Sequence, residues 1–381
     1  MHTFWRIFLY FLTWRILLFL PLVAGHYLLP YRIGFDYSNI WKFVRFYKPV
    51  ESFLLYPWAN FDGVHYLSIA GKGYENDQGF FPLFPILIRA VAVLFGGGEP
   101  FGISYFFAGF FVANFTFLIA LFFLYKLLLI EYDEKVVKKM ICFLLVFPTA
   151  FFFATIYSES LFLLLTVLSF YFARKKQWVF AGVFGMFLTA TRVVGISILP
   201  ALLFEFFIQK KNLLTKKALS LLLIPLGLLG YMYFNLVNFG DAFSFLEAHT
   251  KLGTGRSESI VLFPQTLFRY GKIVLTVPVA QFEWWIALLE FGSFFFAATL
   301  LFVAWKKKVR LSYLVFAILS FLLPASSGTF SGLPRYTLVL FPIFIALALV
   351  KNKMLRVAYM IFSAILLLLL LMFFSRGFYV A

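Results

Sequence analysis

Charge is scarce in this sequence. Only 13% of its 381 residues are Asp, Glu, Lys or Arg, about half the 25% usual in a soluble domain, which excludes an ordinary water-soluble fold. Cysteine is nearly absent. Cys142 stands alone, so no intramolecular disulfide and no cysteine metal cage can form. There is no Asp-x-Asp pair and no glycine-rich phosphate loop following a strand, so the usual signatures of nucleotide-sugar chemistry are missing. The polar–apolar alternation of a membrane barrel is missing too. A net charge of +17 would suit a nucleic-acid partner, but the basic residues come in short runs between apolar stretches, not in a groove-like cluster. No nucleic acid is expected.

What the chain has instead is apolar length. Segments of about 20 apolar residues recur along it, the pattern of membrane-spanning helices. Eleven spans are expected, near 4–24, 103–130, 140–156, 161–173, 178–190, 194–208, 218–237, 284–305, 311–323, 336–350 and 357–374. The first lacks a short apolar core with a cleavage site after it, so it is expected to be a retained signal anchor. Residues 1–381 then form a single integral membrane domain, an all-α polytopic transmembrane helix bundle. Residues 25–98 are its first large outer loop and 238–283 its second.

Orientation follows from the basic runs. Lys135, Lys138 and Lys139; Arg174, Lys175 and Lys176; Lys210, Lys211, Lys216 and Lys217; Lys306, Lys307, Lys308 and Arg310; and Lys351, Lys353 and Arg356 mark every second loop. Those loops are assigned to the cytoplasm. Acidic residues then gather on the opposite side, among them Asp36, Glu51, Asp62, Asp77, Glu99, Glu159 and Glu258. Segment 80–95 contains Pro82, Pro85 and Arg89, and the parity of the basic loops makes it an interfacial helix at the outer surface. A true crossing is the alternative, and it would invert every later loop.

The outer loops carry the chemistry-bearing residues. WANFDGVHYLSIAGKGYENDQGFFPLFPILIR, residues 58–89, concentrates acid, imidazole, Tyr and Gly at a membrane surface. Asp62 stands three residues before His65, so a helix starting there would make Asp62 its N-cap and put His65 on the same face. A plain cap would explain that Asp. A carboxylate at a membrane interface would equally serve as a general base. Glu159 lies between two serines beside a span, where an acid is costly and tends to be paired or functional.

The run FDGVHYLSIAGKGY followed by FFPLFPILIR resembles the first outer loop of the PIG-V family, which contains the second mannosyltransferase of GPI-anchor assembly and its prokaryotic relatives. Asp62, Gly63, His65, Tyr66, Ile69, Ala70, Gly73, Tyr74 and residues 80–85 carry the match. Phe61 stands where the family usually has Trp, so an indole hydrogen bond would be missing. FPTAFFFATIYSESLFLLL is similar to a second family run, through Pro148, Phe152, Tyr157, Ser158, Glu159, Ser160, Leu161 and Phe162. Arg192 in TRVVG, Asp241 in NFGDAFSF and Arg335 in LPRYTLVLFP resemble weaker family motifs in the same order.

The resemblance implies a GT-C glycosyltransferase fold, a polyprenyl-phosphate sugar donor, inversion at the anomeric carbon and a catalytic Asp in the first outer loop. Asp62 is then the expected base. Arg335, Arg192 and Arg256 are candidates to hold the leaving phosphate, which a planar guanidinium can grip through two oxygens. Glu159 would orient the acceptor or pair with Arg192. His65 would bond the donor phosphate or Asp62. Tyr74 and Asp241 complete the expected substrate-binding set. No metal or cofactor is expected. The acceptor would be a lipid, glycan or protein hydroxyl, and the site would face away from the cytoplasm of a plasma-membrane protein. A transporter or flippase of lipid-linked sugars is the rival, although the paired halves with broken midplane helices that mark transporters are not found.

Overall fold

The computed structural model describes residues 2–35, 53–98, 102–210, 216–251, 257 and 261–380. Arg256, and the outer-loop acids Asp36, Glu51, Glu99 and Glu258, lie outside the described residues. Among the described residues the chain is all-helical, with one isolated bridge between Val261 and Ser327. The fold class expected from the apolar runs is the one observed.

Among the described residues five helices are long and apolar enough to cross a membrane: Thr3–Leu28, Ile103–Leu128, Lys217–Phe239, Phe282–Lys306 and Lys353–Ser375. Shorter apolar helices pack among them at Leu83–Leu94, Trp178–Thr189, Val193–Gln209 and Leu311–Ala325. Helix Trp178–Thr189 meets segment 216–239 backbone against backbone. A Cβ on Gly182 would collide with the Ser220 carbonyl, and one on Gly227 with the Met186 carbonyl. Small residues of this kind let helices approach closely where water supplies no driving force between them.

Two expected spans are corrected. Segment 140–156 is not one helix. Helix Glu134–Leu145 stops short of Pro148, and Ala150–Ala154 forms a short 3-10 turn before helix Glu159–Arg174 begins. Segment 336–350 is likewise split into helices Leu333–Leu338 and Phe341–Ala348, with Pro342 in the first turn of the second. At 1.5 Å per residue an eight-residue helix spans about 12 Å, well short of the roughly 30 Å hydrocarbon core.

Both interrupted segments are buried in protein throughout 150–154 and 341–348. Non-helical backbone at membrane depth is tolerated only when protein surrounds it. The two segments touch directly, with Thr149 Oγ1 donating to the Pro334 carbonyl at 3.0 Å. Glu159 opens the helix that follows the first break and Arg335 lies in the short helix before the second, so the breaks bring two of the candidate residues to the interior.

The opposite end of helix Glu159–Arg174 is pinned by a second set of charges. Arg310 forks onto Glu205 through Nε and Nη2, both at 2.7 Å, and Ser312 Oγ donates to the same carboxylate. Arg174 pairs with Glu131, which Arg310 Nη1 also approaches at 3.3 Å. Sixteen residues of helix separate this cluster from Glu159 by about 24 Å. Arg15, buried in the first long helix, donates from Nε to Asn114 Oδ1 at 3.0 Å and stacks 3.8 Å over the Trp58 ring. Trp58 in turn hydrogen-bonds the Leu54 carbonyl. This underpins the strand of chain that leads to Asp62.

Candidate active site

Helix Asp62–Lys72 does start at Asp62, but its N-cap is Phe61, not Asp62. Phe61 sits at φ 58° and ψ −113°, a left-handed conformation that costs a bulky residue about 1–3 kcal/mol and persists only when its surroundings enforce it. Three rings hold it: Phe35 at 5.6 Å, Phe374 at 5.4 Å and Tyr379 at 5.2 Å between centroids. The family's Trp is thus replaced by a ring that packs on aromatic neighbours. Tyr157 ties the backbone on either side, its hydroxyl donating to the Asn60 carbonyl at 2.8 Å and accepting from the Asp62 N–H at 3.2 Å. Freed from capping, the Asp62 carboxylate points at Arg335.

Four residues from four separated segments converge there. Arg335 Nη1 bonds Asp62 Oδ2, and Arg335 Nε lies 3.3 Å from Glu159 Oε1. Arg192 Nη1 bonds the same Glu159 oxygen. The Arg335 guanidinium also lies over Tyr157 at 5.3 Å and Phe152 at 5.6 Å, and Arg192 over Tyr336 at 4.7 Å. Asp62, Glu159, Arg192 and Arg335 line a cavity of about 250 Å³ together with Tyr66 and Phe81. Burial would raise the Asp62 pKa, but the charge and hydrogen bond of Arg335, helped by His65 and Arg192, hold it below the ordinary carboxylate value.

The other expected residues are placed differently. His65 does not take Asp62 as its partner. Its Nδ1 lies 2.6 Å from Asp77 Oδ1, and its ring stacks on Phe80 at 4.6 Å. Tyr74 donates to the Phe80 carbonyl at 2.6 Å and borders a neighbouring apolar cavity of about 550 Å³. Asp241 accepts from the Phe243 N–H at 3.0 Å in its own turn, away from the carboxylate–arginine cluster, while Phe245 of that segment lines the cavity. Sequence reasoning gave no role to Tyr66, whose hydroxyl shares a 2.9 Å hydrogen bond with Ser158 Oγ, nor to Asn60, and did not pair Asp77 with His65. Tyr66 and Ser158 stood inside the two strongest motifs, so that signal was available. Asp77 had only its charge.

Burial alone would lower the His65 pKa, yet the Asp77 hydrogen bond and charge, with Asp62 behind them, raise it above the ordinary value. A raised folded-state pKa means that the pair's stabilisation is complete below the unfolded value of about 6.5 and is lost as pH rises through the folded one. Asp77→Asn should therefore lower the melting temperature most at the acid end and progressively less at alkaline pH. Thermal unfolding of both forms across that range checks this, and a pH-independent difference would refute it.

The fold and cluster define a helical membrane protein with a buried acid–arginine site beside its interrupted helices. The profile of the mannosyltransferase (PIG-V) family matches residues 5–239, and the chain belongs to that family. Asp62, Glu159 and Arg192 fall inside the match and Arg335 beyond it. No curated protein matches the chain. Among solved structures it is similar to the Archaeoglobus fulgidus oligosaccharyltransferase in its apo form, at 14% identity and TM-score 0.48 over 97% of this chain and 56% of that one. It is also similar to the same enzyme tethered to an acceptor peptide, at 14% identity and TM-score 0.47 over 97% and 55%. The chain thus spans little more than half the length of the structures it matches.

Proposed function

We propose that this protein transfers a sugar, mannose by its family's description, from a polyprenyl-phosphate donor to an acceptor hydroxyl, with inversion, on the non-cytoplasmic face of the membrane. The observation that carries this reading is the convergence of Asp62 with Arg335 and Arg192 in one cavity. A base and a cationic phosphate cradle are what the reaction needs. The acceptor oxygen gives its proton to Asp62 and attacks the anomeric carbon from the face opposite the phosphate. The C–O bond to the phosphate breaks, and polyprenyl phosphate leaves with its charge held by the guanidiniums.

The surroundings support a lipid donor. The apolar cavity of about 550 Å³ is bordered by Pro82, Leu83 and Ala190, the residues next in chain to Phe81 and Thr191 of the polar cavity. The Leu83 N–H donates to the Ala190 carbonyl at 3.1 Å and joins the two walls. An isoprenoid chain placed there would lie beside its own phosphate. Lys175, Lys176, Lys306, Lys307 and Lys308, beside the paired Arg174 and Arg310 at the far end of helix Glu159–Arg174, support the outward-facing assignment, since basic ends stay in the cytoplasm.

The test uses purified protein in sealed vesicles of known orientation. A panel of polyprenyl-phosphate sugars is added to one side, and free polyprenyl phosphate and glycosylated lipid are followed by mass spectrometry. Release of polyprenyl phosphate only with donor on the outer side is expected. Release with none of the panel, or donor movement across the bilayer without bond cleavage, would refute the reading.

A further inference from the structure

The roles just assigned conflict in the structure itself. Asp62 is to accept a proton and Arg335 to hold a phosphate, yet each holds the other. Arg192, the second phosphate candidate, is bound to Glu159. Two carboxylates and two guanidiniums make a neutral cluster in which neither the base nor the cationic cradle is available.

The same cluster contains a second seat for Arg335. Its Nε is 3.3 Å from Glu159 Oε1 but forms no hydrogen bond, and Glu159 Oε2 is buried without a hydrogen-bond partner. A guanidinium turned away from Asp62 would have Glu159 Oε2 to accept from it and Nη1 free for another anion. Asp62 is the most exposed of the cluster's acids there, with its side chain 22% accessible against 1% for Glu159. The arrangement therefore has an engaged state, as observed, and offers a released state in which Arg335 exchanges its bond to Asp62 for one to Glu159.

We propose that the Asp62–Arg335 contact is a latch opened by the donor's phosphate, so that Asp62 becomes a base only in the donor complex and donor must bind before the acceptor can react. This rests on the reading of Asp62 as base and Arg335 as phosphate ligand. An anion can shift the cluster only through its differential affinity for the two states. The phosphate supplies that by competing with Asp62 for one guanidinium, and part of its binding energy goes into opening the latch. The lowered proton affinity of Asp62 in the engaged state fits a base kept idle until then.

The latch makes a prediction opposite to the usual effect of removing an active-site charge. Farnesyl phosphate, a short prenyl phosphate, is titrated by calorimetry into full-length protein in nanodiscs. Asp62→Asn should bind it about tenfold more tightly than the native protein, the order of one charge-assisted hydrogen bond, while Arg335→Gln should bind it far more weakly than either. Equal or weaker binding by folded Asp62→Asn, with binding still lost in Arg335→Gln, overturns the latch and leaves the phosphate role standing. Undiminished binding by Arg335→Gln removes the phosphate role and the latch together. Should Asp62→Asn not fold, infrared difference spectra of the native protein with carbon-13-labelled aspartate decide the matter. A shift of an aspartate carboxylate band on adding farnesyl phosphate is expected, and its absence overturns the latch.

Discussion

Asp62→Asn is expected to lower turnover by about 10²–10⁴-fold, the usual worth of a general base, and to leave the bundle folded. The substitution keeps size and polarity but removes the capacity to take the acceptor's proton. Helix Asp62–Lys72 does not depend on that carboxylate, because Phe61 occupies the cap position and Tyr157 holds the Asp62 N–H. Stripping one partner from a buried ion pair costs about 3–5 kcal/mol when the remaining charge is left alone. Here Arg335 retains Glu159 and the rings of Phe152 and Tyr157, so the loss is smaller. Turnover with the donor identified in the vesicle assay, alongside gel filtration and circular dichroism, separates chemistry from folding. A folded Asn variant with native turnover would move the base elsewhere. Glu159 is the first alternative, since it lines the same cavity, whereas Asp77 is engaged by His65.

Arg335→Lys comes next in expected size. The guanidinium addresses Asp62 through one nitrogen, approaches Glu159 through another and lies against two aromatic faces. A lysine ammonium keeps the charge but not the planar fork or the stacking. Loss of one donor to charge developing in a transition state typically costs about 10²–10³-fold in kcat, and a drop of that order is expected here, with a higher KM for the donor. Measuring kcat and KM separately checks the assignment. Near-native values for both would reduce Arg335 to a structural cation holding two buried acids.

The candidate residues were legible in unequal degrees. Asp62, Glu159, Arg192 and Arg335 could be marked from local motifs, but their meeting could not. Arg335 and Asp62 are 273 residues apart in sequence, and no periodicity spans that distance. The i, i+3 spacing of Asp62 and His65 suggested a pair. A guanidinium from a remote segment took the carboxylate, and the imidazole turned to Asp77 beyond the Gly73 turn, where φ is 92°. Tyr74 and Asp241 sat in equally plausible motif positions, yet both hydrogen-bond locally and stand outside the cluster.

Hydropathy is a local, additive property, and for that reason the sequence by itself determined that the chain is helical and membrane-embedded, where its long spans lie and how its basic loops alternate. The same locality hid the breaks at 146–158 and 329–340. The runs at 150–154 and 338–348 are apolar because protein surrounds them, and an apolar run reads as a crossing whether it faces lipid or a bundle interior. Only the tertiary structure decided which charges meet, that they meet as a neutral and closed cluster, and that the cluster sits where two interrupted helices end. Buried ion pairs follow the placement of distant backbone, and that placement is set by the packing of the whole bundle.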